Sequence, residues 1–434
     1  MTSRDAPVTV VGAGVAGLSA ALLLARAGRA VTVREASHEP GGLLAGVEFE
    51  GLRYDRGSHR VHVDAHPLLR ALTARARWVE RPRRGLLVLR GRHLEYPPHP
   101  LRFLRALGAQ GTAEMALGLA RRPQRIGRLL RWERDRRAEL DDDEGFEAFV
   151  RARVGDAAYE AFYRPYVEKV WGLDAAEVSR TVAKQRLSTQ APWRLLVPRG
   201  RSFVYPTGAM ASLVDLLRDD VLRAGAEITY GERASPGEGI TLYSGDLAAL
   251  APSAGLSHRG LYLLHLRVPS DAVEAVDTWY TPEARYWFGR VSQPALFSTE
   301  MARRDGVVLA VEVPEGRWGP GQDFSCRASE LVAQLVDAGI LGRRVDPLAL
   351  KQTFVPGVYP MYRRGWVRSW REAMEAVRRR GDVLPIGRQG LFLHCNMDHA
   401  VAIAADAVEH LLRGGDASRW VTDCRRYLDL RVRD

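Results

Sequence analysis

The first forty residues limit the possible folds more than any other part of the chain. Val8–Val11 is a β-branched run of the kind that forms a buried parallel strand, and the pattern G-x-G-x-x-G follows it at Gly12, Gly14 and Gly17. The first glycine of this pattern allows a tight turn, the second lets a pyrophosphate approach the backbone, and the third lets a helix pack on the strand. The spacing therefore predicts a strand, a phosphate-binding turn and a helix.

The residues that follow complete this unit. The predicted helix ends at Gly28, and Ala30–Val33 is predicted to be a second strand. Glu35 lies at the end of that strand, 18 residues beyond Gly17, where a carboxylate can accept hydrogen bonds from a ribose. These features predict a dinucleotide-binding βαβ unit; the alternative is a βαβ unit whose tight turn binds no ligand.

A second polar junction lies close to the C-terminus. The apolar run Gly390 to Leu393 is predicted to be a strand, and Asn396, Met397 and Asp398 separate it from a helix of small residues. The unpaired amides and the dipole of a helix N-terminus favour negative charge, so this junction suits an anionic or electron-rich ligand. The alternative is an ordinary capped helix with Asp398 as its N-cap.

Composition narrows the class of protein. A chain of 434 residues exceeds the size of a single core, so two or more structural units are expected. The net charge of +11 suggests an anionic partner, but only three of the 63 basic residues are lysine and the arginines are spread over the whole chain. We therefore expect no nucleic-acid partner, while an anionic small substrate or a weak contact with a membrane surface stays compatible.

The cysteines and the apolar segments indicate the compartment. The three cysteines are widely spaced and form neither a disulfide framework nor a C-x-x-C metal site, so no metal is expected. No apolar run approaches the roughly 18 residues that cross a bilayer, and no secretory signal is recognisable. We expect a cytoplasmic protein without a transmembrane segment.

Gly41 and Gly42 extend the N-terminal pattern. The pair begins six residues past Glu35, where a flexible backbone can pass close to a ribose and a pyrophosphate. With this step the sequence resembles the flavoprotein superfamily of amine oxidases, protoporphyrinogen oxidases, carotenoid desaturases and UDP-galactopyranose mutases. The resemblance implies FAD as cofactor and an α/β fold, with a Rossmann-type, glutathione-reductase-like FAD-binding domain, a helical insert and an antiparallel-sheet substrate domain.

The likeness is closest to the branch around UDP-galactopyranose mutase. "YDRGSHRVH" resembles that branch's G-x-H-x-x-H segment beside the flavin, which places His59 and His62 on its histidine positions, and His59-Arg60 matches a G-G-H-R form. The helical insert of the branch carries Y-x-x-K-x-W-G, which matches Tyr166 to Gly172 and includes Trp171. The resemblance implies that both segments line the reaction site.

The C-terminal third matches the same branch. "VYPMY", with Tyr359, resembles a substrate-pocket loop of the mutases, and "GRQGLFLHCNMDHAV" matches the terminal flavin motif. By resemblance, Gly387 and Arg388 lie near the pyrophosphate, and the helix that starts at Asn396 to Asp398 points its amides at the flavin. Between Ile228 and Leu250 the chain is shorter than the family pattern, and no covalent-flavin position is identifiable.

The resemblance also implies a domain organisation. Residues 1–75, 200–258 and 355–434 are predicted to form a discontinuous FAD-binding domain. Residues 76–199 are predicted to be the helical insert, and residues 259–354 the sheet of the substrate domain.

Three classes of function are compatible with these motifs and with the resemblance. The first is an FAD-dependent oxidoreductase that moves a hydride from a small polar, sugar-type substrate, free or linked to a nucleotide or scaffold, to flavin N5. His59 and His62 are the candidate proton acceptors, since imidazole titrates near neutral pH. A protoporphyrinogen- or polyene-type oxidase is a variant of this class, although a flat apolar substrate would suggest more aromatic residues in the insert.

The second class is a flavin-dependent sugar mutase or isomerase. Its chemistry calls for arginines that clamp a diphosphate. The candidates are Arg164, Arg285 and Arg290, and Trp171 and Tyr359 are expected to line the pocket. The third class is a flavin-binding protein without catalysis.

Overall fold

A computed structural model describes residues 7–62, 65–96, 98, 100–121, 145–186, 202–237, 239–319, 321–430 and 432. Its strands are, in chain order, β1 (Val8–Val11), β2 (Val31–Arg34), β3 (Gly46–Phe49), β4 (Leu52–Asp55), β5 (Trp78–Pro82), β6 (Gly85–Leu89), β7 (Arg92–Glu95), β8 (Ser202–Pro206), β9 (Glu227–Thr229), β10 (Thr241–Tyr243), β11 (His258–Val268), β12 (Thr278–Tyr280), β13 (Arg290–Ser292), β14 (Val307–Pro314), β15 (Ala349–Pro360) and β16 (Val383–Pro385). Its α-helices are α1 (Val15–Arg26), α2 (Pro67–Leu72), α3 (Pro100–Arg121), α4 (Phe146–Val154), α5 (Asp156–Ala158), α6 (Arg164–Trp171), α7 (Arg180–Arg186), α8 (Ala211–Arg223), α9 (Leu247–Leu250), α10 (Ala328–Asp337), α11 (Trp366–Arg380), α12 (Gly387–Gly390), α13 (Met397–Leu412) and α14 (Ala417–Asp423).

The chain forms two compact units, each assembled from separate stretches. The first unit comprises residues 1–80, 204–257 and 367–434, and the second comprises residues 81–203 and 258–366.

The first unit is built on a five-stranded parallel sheet. The strand order is β16-β10-β1-β2-β9, so β1 lies in the middle, where Val10 pairs with both Leu242 and Val33. All three side chains are fully buried, as expected for a parallel sheet covered on both faces. α1 packs against α13 and α8, so the N-terminal and C-terminal stretches share one core.

The second unit contains a seven-stranded, mostly antiparallel sheet. Its order is β15-β11-β14-β13-β12-β6-β7, and only β12 and β6 run parallel. The long strand β11 pairs with β14 on one side and β15 on the other. α10 contributes Leu331, Val332 and Leu335 to a buried core that includes Trp279 and Phe288.

The predicted secondary structure is confirmed at the N-terminus and wrong at one segment near the C-terminus. The predicted strand, turn and helix at the N-terminus are confirmed as β1 and α1, and the second strand is confirmed as β2. The predicted strand from Gly390 to Leu393 is wrong. Those residues end the short helix α12 and continue as a turn in which Phe392 has a φ of 52° and Leu393 N–H donates to the Arg388 carbonyl at 2.8 Å.

The predicted domain bounds and the strands of the large sheet differ in two places. Strands β6 and β7 lie within the predicted helical insert and join the large sheet, and β15 runs across the predicted boundary at residue 354. Residues 122–144 and 187–199 of the predicted insert lie outside the described residues. Among the described residues, no helix has the length and apolar character that crossing a membrane requires.

Candidate functional site

The turn after β1 is held by close backbone contacts. Gly12 has a φ of +95° and its N–H donates to the Arg34 carbonyl at 2.8 Å. A Cβ on Gly17 would lie 1.9 Å from the Gly12 carbonyl oxygen, and a Cβ on Gly12 would lie 2.4 Å from Ser244 Oγ. Because backbone atoms occupy the space of the missing side chain, glycine is required at Gly17, as its position in the motif predicts.

Gly14, Gly41 and Gly42 form a surface without side chains. Gly14 and Gly41 form an isolated parallel bridge, and Gly41 N–H donates to the Ala13 carbonyl at 2.9 Å. A Cβ on Gly42 would lie 3.7 Å from Gly14 Cα, and Gly41 and Gly42 have φ values of 123° and 56°. The sequence therefore places bare backbone from two separate loops side by side at the N-terminus of α1. We name these three residues the glycine cradle.

Glu35 lies beside the cradle with its carboxylate buried. One oxygen accepts the N–H of Ala13 at 2.6 Å and the other accepts the N–H of Ser37 at 2.8 Å. Charge-assisted bonds of this kind fix the carboxylate at the end of β2. Each oxygen keeps a second lone pair, so the group can still accept hydrogen bonds from a hydroxyl.

The segment with the two predicted histidines follows β4. Val61 forms a bridge with Val204, which fixes the backbone between His59 and His62. His59 Nε2 lies 3.1 Å from the Leu43 carbonyl oxygen. Since a carbonyl only accepts, Nε2 carries the proton, and Nδ1 is the basic nitrogen of the neutral ring.

A buried polar cluster, which sequence reasoning missed, supports this segment. Asp55 ends β4; it accepts the Tyr205 hydroxyl and, at 2.7 Å, the Met210 N–H at the start of α8. Burial raises the pKa of Asp55 to about 7, although both hydrogen bonds and the charge of Arg53 act in the opposite direction. The sequence signal that could have revealed this cluster is Asp55 itself, a polar residue at the end of a strand in "YDRGSH".

The C-terminal motif folds against α1. Gly387 has a φ of 71°, and a Cβ there would lie 2.7 Å from Ala16 Cβ, so this glycine makes the close contact with the start of α1. Arg388 lies next to it; its Nη2 is 2.7 Å from His394 Nδ1 and its Nη1 donates to the Cys395 carbonyl at 3.3 Å. Because a guanidinium only donates, His394 is the tautomer with its proton on Nε2.

The helix α13 begins where the polar junction predicts. Asn396 is its N-cap, not Asp398, and forms a capping box with His399. Met397 starts the helix, and Asp398 in its first turn accepts the N–H of His66 at 3.2 Å. This bond links the histidine-bearing segment to the N-terminus of α13.

Cys395 lies next to this N-terminus as a buried thiol. Burial raises its pKa to about 11, with the charge of Arg388 acting in the opposite direction. A thiol held protonated in this way packs as a small apolar residue and is a poor nucleophile.

Three predicted substrate residues of the second unit lie near one another. Trp171 and Tyr359 have ring centroids 6.0 Å apart. Arg290 donates to Glu312 through Nε at 2.9 Å and Nη2 at 2.7 Å, and its charge acts on Tyr359. Burial lowers the pKa of Arg290, but the charges of Glu312, Tyr359 and Tyr280 and the hydrogen bond to Glu312 together raise it by more, so the guanidinium stays charged.

Lys169 has a buried amine and lies on α6, the helix that also carries Trp171. Its Nζ donates to the Thr281 carbonyl at 2.7 Å and to the Phe288 carbonyl at 3.0 Å. Burial lowers its pKa to about 7, with Glu283 acting in the opposite direction. Arg259 donates to the Lys169 carbonyl at 3.0 Å, at the C-terminal end of α6, where a helix favours a cation.

Arg164 has different surroundings. It lies at the start of α6, with its side chain 46% exposed, and pairs with Glu168 at 3.0 Å and Glu160 at 3.3 Å. Pairs with this i, i+4 spacing are typical of a solvated helix face.

The first unit therefore combines a glycine-rich turn, a buried carboxylate and a second helix N-terminus, features that are typical of the class of dinucleotide-binding proteins. The family profile described as "flavin containing amine oxidoreductase" matches residues 15–235, half of the chain, and the chain belongs to this family. Its cofactor is FAD. Membership supports an enzyme of the flavin oxidoreductase type.

Solved structures share the fold. A structure of reduced UDP-galactopyranose mutase is 17% identical, with 99% of this chain and 100% of that chain covered at a TM-score of 0.76. A putative protoporphyrinogen oxidase from Exiguobacterium sp. 255-15 is 18% identical over 94% and 99% of the two chains, with a TM-score of 0.68. Putrescine oxidase bound to putrescine is 15% identical over 94% and 99%, with a TM-score of 0.63.

Proposed function

We propose that this protein is an FAD-dependent oxidoreductase that oxidises a small polar, sugar-type substrate by hydride transfer to flavin N5. The observation that carries the proposal is the glycine cradle beside buried Glu35, which together suit a diphosphate and a ribose. The proposal includes a Rossmann-type, glutathione-reductase-like fold for the first unit.

The residues present fit FAD, because a side chain at the cradle would fill the space that a pyrophosphate needs. Glu35 would bind a ribose hydroxyl, and the cradle would bring backbone close to the phosphates. Arg60 and Arg388 would supply positive charge, and the amides that start α13 would face the electron-rich edge of the flavin. The full proposed set is Gly12, Gly14, Gly17, Glu35, Gly41, Gly42, Arg60, Gly387, Arg388, Asn396, Met397 and Asp398.

The proposed chemistry separates a hydride from a proton. Oxidation of a secondary alcohol to a ketone releases a hydride from carbon and a proton from oxygen, and bound FAD supplies the hydride acceptor. His59 is the first candidate for the proton, because its hydrogen bond to Leu43 leaves Nδ1 as the basic nitrogen. His62, three residues on, is the second candidate.

The proposed class of substrate, a sugar, is inferred from three side chains of the second unit. Tyr359 is half-buried and offers an aromatic face with a polar group at its edge, and the buried Trp171 lies next to it, a combination that suits the mixed surface of a sugar. Arg290 keeps its charge through Glu312 and can donate to a hydroxyl or a phosphate. We propose these three residues as substrate contacts; the exposed ion pairs of Arg164 give that residue weaker support.

A sugar mutase or isomerase is the second candidate function. The structural similarity to reduced UDP-galactopyranose mutase and the aromatic pair next to a paired arginine support it. The two candidates differ in one respect: an oxidoreductase turns over from the oxidised flavin, whereas a mutase acts without net redox change.

The cofactor assignment is tested with Gly14→Glu, which would place a carboxylate in the cradle. We expect purified wild type to be yellow and the variant to lose the flavin absorbance while staying folded by circular dichroism. Gly237→Glu is the matched control, since a Cβ at Gly237 meets no heavy atom within 4 Å. A colourless wild type that fails to bind added FAD would refute the proposal.

The reaction is tested by incubating candidate sugars and nucleotide sugars with oxidised enzyme and with chemically reduced enzyme. Turnover by the oxidised form, with flavin bleaching or peroxide release, supports the oxidoreductase. Product formation by the reduced form alone supports the mutase.

The histidines are tested separately. We expect His59→Ala to lower kcat about 10²–10⁴-fold if the ring is the general base. His93→Gln is the control, since His93 is exposed and lies in the second unit. Unchanged turnover in both His59→Ala and His62→Ala removes the two residues from the mechanism.

A further inference from the structure

Tyr230 lies next to Glu35 at the edge of the parallel sheet. β2 and β9 are paired, with Arg34 opposite Thr229, and the pairing continues past both strands. The Glu35 N–H donates to the Thr229 carbonyl at 2.9 Å, and the Glu232 N–H donates to the Glu35 carbonyl at 3.0 Å. Tyr230 and Gly231 therefore connect Thr229 and Glu232, the two residues whose backbones form hydrogen bonds with the backbone of Glu35.

The ring of Tyr230 is partly open to solvent. It is 37% exposed and belongs to a small group of large apolar side chains that are exposed among the described residues. Partial burial raises its pKa; the charge of Arg218 lowers it, and the charge of Glu35 raises it. The phenol is therefore within electrostatic reach of the Glu35 carboxylate.

Neighbouring residues leave this ring accessible. Gly231 has a φ of 75°, which turns the chain directly after the tyrosine, and Gly231 N–H donates to the Ser37 carbonyl at 3.0 Å. The described residues from 231 to 237 form no helix or strand, and most of them are exposed. An aromatic face is thus held on a fixed backbone beside the proposed ribose site.

We infer that Tyr230 stacks on the adenine ring of the cofactor. This inference rests on the proposed function, in which Glu35 binds the ribose. The base is bonded to that ribose, so it has to lie close to the Glu35 carboxylate, where Tyr230 offers an aromatic face. Every base has a π-face, so a single aromatic ring is sufficient for such a contact.

The test measures FAD binding to apoprotein by quenching of flavin fluorescence, with ADP as a competing ligand that lacks the flavin. Loss of base stacking corresponds to roughly 5- to 150-fold weaker binding. We expect Tyr230→Leu, which keeps apolar bulk but loses the aromatic face, to weaken FAD and ADP by the same factor within this range. We expect Tyr230→Phe to bind both within about twofold of wild type.

Leu222→Ala is the control, because Leu222 is 49% exposed on α8 and needs no role in binding. Tyr230→Leu that binds FAD as tightly as wild type overturns the inference and leaves the proposed function intact. Wild-type protein that binds no FAD overturns both. Equal losses in Tyr230→Phe and Tyr230→Leu also overturn the inference, since the aromatic face would then not be what matters.

Discussion

Replacement of Asp55 by asparagine should change how the stability of the protein depends on pH. The Asp55 carboxyl is buried between the Tyr205 hydroxyl and the Met210 N–H, and its pKa is raised to about 7 from an ordinary value of 3.8. In the folded protein the group is therefore neutral at pH values where it is ionised in the unfolded chain. Asparagine has nearly the shape of the neutral acid, can accept from Met210 and donate to Tyr205, and does not titrate.

The sign and size follow from proton linkage. The folded-state pKa is raised, so the contribution of Asp55 to stability is fully present below about pH 4 and is lost as the pH rises through 7. Each pH unit in that window corresponds to about 1.4 kcal/mol, and the shift of about three units corresponds to about 4 kcal/mol in total. Wild type should therefore lose stability relative to Asp55→Asn between pH 5 and pH 7, by roughly 2 kcal/mol.

The assay is urea unfolding followed by circular dichroism at pH 5, 6, 7 and 8 for wild type, Asp55→Asn and a control. Glu48→Gln is the control, because Glu48 is 69% exposed on the neighbouring strand β3. The difference between wild type and Asp55→Asn cancels the titration of the other groups, provided that they act independently. A difference that stays constant from pH 5 to pH 8 would refute the reasoning.

Three further outcomes are expected. Lys169 has its pKa lowered to about 7 by burial, so wild type should gain stability relative to Lys169→Met by about 1.4 kcal/mol per pH unit from pH 7 to 10; a flat difference in urea unfolding contradicts this. Iodoacetamide should modify the exposed Cys326 well before the buried Cys395, whose pKa is raised to about 11, as peptide mass spectrometry will show. Gly17→Ala should abolish flavin absorbance, because the new Cβ would lie 1.9 Å from the Gly12 carbonyl oxygen; a yellow variant with wild-type thermal stability contradicts this.

The N-terminal unit was predictable because its constraints are local. Strand, glycine turn, helix and acidic residue follow one another within about thirty residues, and an added Cβ would collide with neighbouring atoms at Gly12 and Gly17. The start of α13 was predictable for the same reason, although Asn396 is its N-cap and not Asp398.

The segment from Gly390 to Leu393 shows where local reasoning fails. A four-residue apolar run fits a strand or any other buried segment, and periodicity does not separate the two. Here the three apolar residues are buried in a turn, and Gly390 approaches the Tyr243 carbonyl so closely that a Cβ would lie 2.3 Å from it. That contact joins residues that are far apart in the chain.

The contacts between distant residues were the least predictable. Asp55 and Tyr205 are 150 positions apart, and nothing in their local sequences indicates that they share a hydrogen bond. The ion pairs of Arg164 could, in contrast, be predicted from the sequence. Glu160 and Glu168 lie four residues to either side of it, the spacing of ion pairs on an exposed helix face.

The strand order of the parallel sheet has a consequence during protein synthesis. β10 is complete at residue 243, but β16, its outer neighbour, is complete only at residue 385. At about 5–20 residues per second, a ribosome needs roughly 7–30 s to make the intervening stretch. Throughout that time β10 lacks its outer neighbour in the nascent sheet, so this edge is open to pairing with another chain.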